Sequence, residues 1–268
     1  LAVSIPPLAP WWLIVIGTFF GIAIVKQLYG GLGFNMFNPA MGGYVMLLIS
    51  FPLAMTMWVP VQNMAIYPYD FADALSVIFT GFSVSGYDIT QLRLGVDGVT
   101  QATPLDAVRS SLLLGETYSE AMQAPIFNSD SGFAYGWSWV ALAYLAGGLF
   151  LLWRKIISWH MPLSMLAGVI VTAAILNMLM PDATGGILFH LLSGAVLFGA
   201  FFIVTDPVSG STTPKGRIIF GVLIGFWTVL IRTFGGYPDA VAFAVLLMNI
   251  AVPLIDYYTQ PRTYGARS

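Results

Sequence analysis

Cysteine is absent from the 268 residues, histidine occurs twice, and charged side chains make up 8% of the chain. Each shortage excludes something. Without a thiol the chain forms no disulfide, holds no thiolate-bound iron–sulfur cluster and has no cysteine nucleophile. The two histidines fall at His160, before the fourth apolar segment, and His190, at the start of the fifth. They are expected near opposite membrane faces, so a shared haem or metal is not expected. The shortage of charge excludes most. Soluble domains carry about 25% charged residues, whereas 58% of this chain is hydrophobic. A chain this oily points to a polytopic membrane protein. A net charge of −2 implies no nucleic-acid partner. No Walker-type loop and no Ser–His–Asp order occur, and "GGLG" at Gly30–Gly33 follows no strand, so it reads as a turn rather than a phosphate cradle. An initiating methionine is also lacking. The opening "LAVSIPPLAP" reads as the tail of an earlier apolar segment and lacks the basic front of a signal peptide. An upstream segment is therefore expected.

What is present is apolar length. Seven segments approach the ~20 residues a helix needs to cross a bilayer: 9–26, 39–58, 137–153, 162–180, 187–204, 217–233 and 239–257. They predict an all-α integral membrane protein, a multi-helix bundle in one membrane domain. Tryptophans flank the first two segments, as at a membrane interface. Gly17/Gly21 and Gly221/Gly225 form GxxxG pairs that let helices approach closely. With the spans alternating, Lys26, Arg154, Lys155, Lys215, Arg217, Arg262 and Arg267 share one side, and Arg93, Arg109 and Arg232 the other. The richer side is cytoplasmic by the positive-inside rule. The C-terminus is then cytoplasmic, and the long connection 59–136 lies on the outer face, a small cap with short helices. "FNPAM" and "TDPVS" each place Asn38 or Asp206 before a proline at the cytoplasmic end of a segment. Such echoes occur in inverted repeats with broken helices, whose sites sit at the breaks. They also suit plain helix starts, with Asn38 and Asp206 as N-caps. Asp206, Asp239 and Asp256 all fall at or near segment ends, where a carboxylate is functional if deep and cheap if interfacial. A solute channel or transporter would show these features too.

Within the outer loop runs 97-DGVTQATPLDAVR-109. Thr103 suits an N-cap, Pro104 the first helical turn, and Asp106 the positive end of the helix dipole. The same geometry would accept a phosphate, because unpaired N–H groups point outward from a helix start.

This stretch resembles the flavinylation motif of the D subunits of Rnf (Rsx) electron-transport complexes, related to the B subunits of the sodium-pumping NADH:quinone reductase. Asp97, Thr100, Ala102 and Thr103 fill the pattern D-x-x-[ST]-x-A-T. Gln101 stands where the quinone reductase branch often has Gly, which favours the Rnf branch. "KQLYGGLG", "FNPAM", "HLLSGA", "GAFFIVTDPV", "GGYPDAVAFAVLLMNIAVPLIDYY" and "PRTYG" extend the likeness over nearly the whole chain. The resemblance implies a membrane subunit linking ferredoxin/NADH electron transfer to Na+ or H+ movement, not catalytic alone. It implies FMN joined through its phosphate to Thr103, with Asp97, Thr100 and Ala102 serving motif recognition or loop shape. A second, noncovalent flavin such as riboflavin, or an ion path, has Asn38 and Asp206 as candidates. No metal is implied. The implied partners are other Rnf/Rsx subunits, including iron–sulfur and flavin subunits, a flavin transferase, and the lipid bilayer. The implied location is the bacterial inner membrane, with the Thr103 loop periplasmic.

Overall fold

The computed structural model describes residues 1–31, 33–60, 62, 65–94, 103–127, 134, 136–237 and 239–261. The described residues are helical with no strand, apart from one isolated bridge between Phe82 and Asp88. Among the described residues, four helices are long and apolar enough to cross a membrane. They are α1 (Trp11–Leu28, its second half in π geometry), α9 (His160–Leu179), α12 (Pro214–Phe234) and α13 (Val241–Thr259). Their outward faces stay apolar: Phe19, Ile22, Met178 and Leu254 are each more than half exposed, which suits lipid and not water. The molecule is an all-α integral membrane protein.

Three of the apolar segments hold other helices. α8 (Trp137–Trp153) has 17 residues, about 25 Å of rise, with Trp137, Trp139 and Trp153 at its ends. The segments at 39–58 and 187–204 are interrupted. The first is α2 (Pro39–Ser50) and α3 (Pro52–Met55), parted at Phe51, where a proline follows. That proline disfavours helical φ/ψ at Phe51, which sits at φ −132°, ψ 56°. The second is α10 (Ile187–Leu192) and α11 (Val196–Phe198, continued by a π turn over Gly199–Ile203). Between them Ser193 is extended and Gly194 has φ 64°. The helices therefore break inside the segments, at Phe51 and Ser193–Ala195, and not at the Asn38 and Asp206 ends where the sequence echo placed the breaks.

The core is built on close helix pairs. α9 lies along α12, and α2 along α1 and α13. A Cβ at Gly225 would stand 2.3 Å from the Met165 carbonyl oxygen, and one at Gly21 2.6 Å from that of Pro39. The GxxxG pairs are thus true backbone contacts. Buried Asn249 of α13 ties together the end of the bundle where α2 starts. Its Oδ1 accepts the Asn38 N–H at 3.0 Å, and its Nδ2 donates to the Ser209 carbonyl at 2.9 Å.

The connection 59–136 forms short capped helices: α4 (Phe71–Thr80), α5 (Ile89–Leu92), α6 (Pro104–Leu113) and α7 (Tyr118–Ala121). Asp70/Asp73, Asp88/Gln91 and Thr117/Glu120 make reciprocal capping boxes. Leu105, Ala107, Val108, Ala121 and Ile126 form a small core that includes Phe189 of α10. That shared aromatic fastens the cap, and α6 in particular, to the bundle.

Candidate functional site

Thr103 opens α6 as its N-cap, with Pro104 at the first position. Its Oγ1 accepts the Asp106 N–H at 3.2 Å and donates to Asp106 Oδ2 at 3.0 Å. Burial pushes the Asp106 carboxyl above its ordinary range, opposed by the Thr103 hydrogen bond and by the charges of Arg93 and Arg109. Both arginines are anchored to bundle ends. Arg93 donates to the Thr56 carbonyl at 3.3 Å and Arg109 to that of Gly235 at 2.8 Å. The Arg93 Nε is buried and has no partner. Asp97, Thr100 and Ala102 lie outside the described residues.

Thr103 stands at a cavity of about 360 Å³. It is bounded by the C-terminal end of α3, the N-terminal ends of α8 and α13, the break between α10 and α11, and the start of α6. Its lining is aromatic and apolar (Trp58, Trp137, Tyr144, Phe198, Tyr237), with carboxylates at Asp106 and Asp239. Met41 and Leu48 of α2 extend it into the bundle.

Behind the break sits Arg232 of α12, with its side chain 2% exposed. It donates to the His190 carbonyl at 2.8 Å and the Ser193 carbonyl at 3.0 Å, and pairs with Asp239 at 3.4 Å. A helix end leaves carbonyls without intrahelical partners; here the guanidinium fills that role at the end of α10. Gly194 leaves room for it: a Cβ there would lie 2.7 Å from Arg232 Nη2 and 2.5 Å from Leu105 Cδ1. In sequence, Arg232 counted only as one outer-face charge, and its role at the break went unread.

Asn38 and Asp206 come together at the other end of the bundle. With Lys26, Thr18 and Thr205 they line a groove of about 560 Å³. Asn38 is an N-cap as expected, accepting the Met41 N–H at 3.1 Å. Asp206 is not. It closes a turn, accepting Ser209 Oγ at 2.5 Å and the Val208 N–H at 3.4 Å, and the next helix starts at Pro214 with Thr213 as its cap. The intervening Ser209-Gly210-Ser211 run competes with helix by side-chain bonding to its own turn. Asp256 accepts from the side chain of Ser211 and from the N–H and hydroxyl of Thr212. It ties the next loop to α13. His160 stacks on Trp159, and His190 is buried beside Phe189.

The family described as NQR2, RnfD, RnfE matches residues 1–265. Similar curated proteins are the ion-translocating oxidoreductase complex subunits D of Escherichia coli O7:K1 (strain IAI39 / ExPEC), O1:K1 / APEC and strain SE11. Each is 58% identical over 267 residues, covering 100% of this chain and 76% of the relative. A match of that depth along so much of the chain leaves one conclusion: the chain belongs to the NQR2, RnfD, RnfE family.

Proposed function

We propose that the chain is the D-type membrane subunit of an ion-translocating oxidoreductase complex, carrying electrons on FMN esterified through its phosphate to Thr103. The relatives are named for such a complex, and the motif around Thr103 is the family's acceptor pattern. The observation that carries the reading is the position of the hydroxyl, at a helix start on the wall of an aromatic-lined cavity that reaches into the bundle.

The residues present fit the group at both ends. An Oγ1–P bond would replace the bond Thr103 now donates to Asp106, and the positive end of the α6 dipole would favour the phosphate there. Arg93, with its unpartnered Nε, and Arg109 supply positive charge that already acts on Asp106, the partner of Thr103. The aromatic walls offer stacking surface for a flat ring and exclude water. When bound, FMN supplies the redox chemistry. The protein's part is to hold the ring at a high effective concentration beside its neighbours. No side chain here acts as a catalytic acid or base. The second site, an ion entry or a noncovalent flavin such as riboflavin, falls to the groove of Lys26, Asn38 and Asp206.

In this reading the seven apolar segments cross the bacterial inner membrane, Thr103 faces the periplasm with its flavin transferase, and the C-terminus faces the cytoplasm. The iron–sulfur centres belong to other subunits, since this chain has no cysteine to hold them, and the partners include flavin subunits as well. The moving ion is Na+ or H+. Co-expression with a flavin transferase tests the proposal: the chain should gain the mass of one FMN less one water, and Thr103→Val should not. A solute channel of similar architecture would keep its unmodified mass in both.

A further inference from the structure

Arg232 presents a physical problem that the attachment site does not solve by itself. A guanidinium is costly to bury without full compensation, and this one is fully buried within an apolar helix. Its two terminal nitrogens are used on the carbonyls of His190 and Ser193 and on Asp239, while its Nε has no partner. Plain helix packing would be served by an apolar side chain at that place. The arrangement instead holds one positive charge, in a medium of low polarity, against the wall of the Thr103 cavity.

The geometry of that wall is specific. Gly194 lines the cavity, and a Cβ added to it would touch both Arg232 Nη2, at 2.7 Å, and Leu105 Cδ1, at 2.5 Å. Leu105 is two residues from Thr103 on the same helix. One Cβ position on Gly194 would thus reach both side chains, so the guanidinium lies beside Leu105, at the edge of the surface that a group tethered to Thr103 would face. Asp239 lines the cavity and pairs with Arg232, its side chain 28% exposed. The cavity thus has a carboxylate on its wall and a buried guanidinium beside it, fixed to each other and, through Arg232, to a broken helix.

We infer that the Arg232–Asp239 pair is a positioning and tuning device that sets the reduction equilibrium of the flavin held at Thr103. The inference rests on the covalent-flavin reading of Thr103. Two electrons and one proton convert the oxidised ring to a reduced ring bearing one negative charge. In the test the electrons come from the reductant added and the proton from the buffer. A negative charge forming in this cavity is favoured by Arg232 and opposed by Asp239, and low polarity magnifies both. The two residues therefore act with opposite sign on one equilibrium, which a purely structural pair would not do.

The test is a spectroelectrochemical titration of the full chain carrying its covalent FMN, prepared with a flavin transferase. Asp239→Asn should favour the reduced ring and Arg232→Gln the oxidised ring, each by about tenfold in the reduction equilibrium. Arg232→Lys, which keeps the charge, should remain near the wild type. Adduct formation is read separately, as flavin fluorescence of the denatured chain. If the adduct is present and the two neutral substitutions shift the potential in the same direction or not at all, the inference is overturned and the Thr103 reading stands. If the wild-type chain carries no adduct, both fall. Should Arg232→Gln fail to accumulate in the membrane, Asp239→Asn decides alone, and an unchanged or lowered potential overturns the inference.

Discussion

Thr103 and Asp106 exchange two hydrogen bonds across one helical turn, and each bond predicts something separate. Thr103→Val removes the acceptor hydroxyl and the cap together. It should abolish covalent flavin and lower stability by about 1 kcal/mol, measured as thermal unfolding in detergent. Thr103→Ser should keep both. Asp106 is the titrating member. Burial raises its folded pKa, so the fold favours the protonated form. Its contribution is fully present below the unfolded pKa and is lost as pH rises through the folded one. In flavin-free protein, wild type should therefore gain stability relative to Asp106→Asn as pH falls from neutral into the acid range. A difference that runs the other way with pH would show that the arginines, and not burial, govern this carboxyl. The cap could be read from the letters Thr-Pro-Leu-Asp because every partner lies within three positions. Arg232 could not, because its carbonyl partners are 42 and 39 positions away. Local pattern shows that it is charged and nothing more.

The helices divide in the same manner between what neighbours in sequence decide and what packing decides. Asn38-Pro39 and Thr103-Pro104 start helices where their letters indicate. Asp206-Pro207 has the same letters and starts none, since Ser209 and Val208 draw the carboxylate into a turn. The break at Ser193–Ala195 was hidden inside "HLLSGA", whose apolar character reads as uninterrupted span. What stabilises it is an arginine from another helix. Close helix contact, by comparison, was legible from glycine spacing. Gly225→Ala would press a Cβ to 2.3 Å from the Met165 carbonyl oxygen. It should destabilise α9 against α12 by about 1–3 kcal/mol, visible as a lowered unfolding temperature in detergent. Asn249→Ala should cost about 1–3 kcal/mol as well, because it strands the Asn38 N–H and the Ser209 carbonyl in a buried place. If that variant is as stable as wild type, Asn249 does not hold that end of the bundle together.

The molecule gathers its cofactor candidate and its polar groove at opposite ends of α2, with Thr103 and Trp58 at one and Lys26 and Asn38 at the other. The proposed sidedness rests on the charge count and is open to direct trial, since a chain without cysteine accepts single reporter thiols. Ser85→Cys, on the exposed cap, should react with a membrane-impermeant maleimide from the periplasm. Ser158→Cys, exposed beyond α8, should react only after the cytoplasmic face is opened. Reversed labelling would overturn the orientation. The function itself turns on a single covalent bond. Peptide mapping by mass of this chain, taken from the assembled complex in native membranes, should find one FMN, less one water, on the peptide containing Thr103. A holo-complex in which that peptide carries only unmodified Thr103 would contradict the electron-carrying role proposed for the chain.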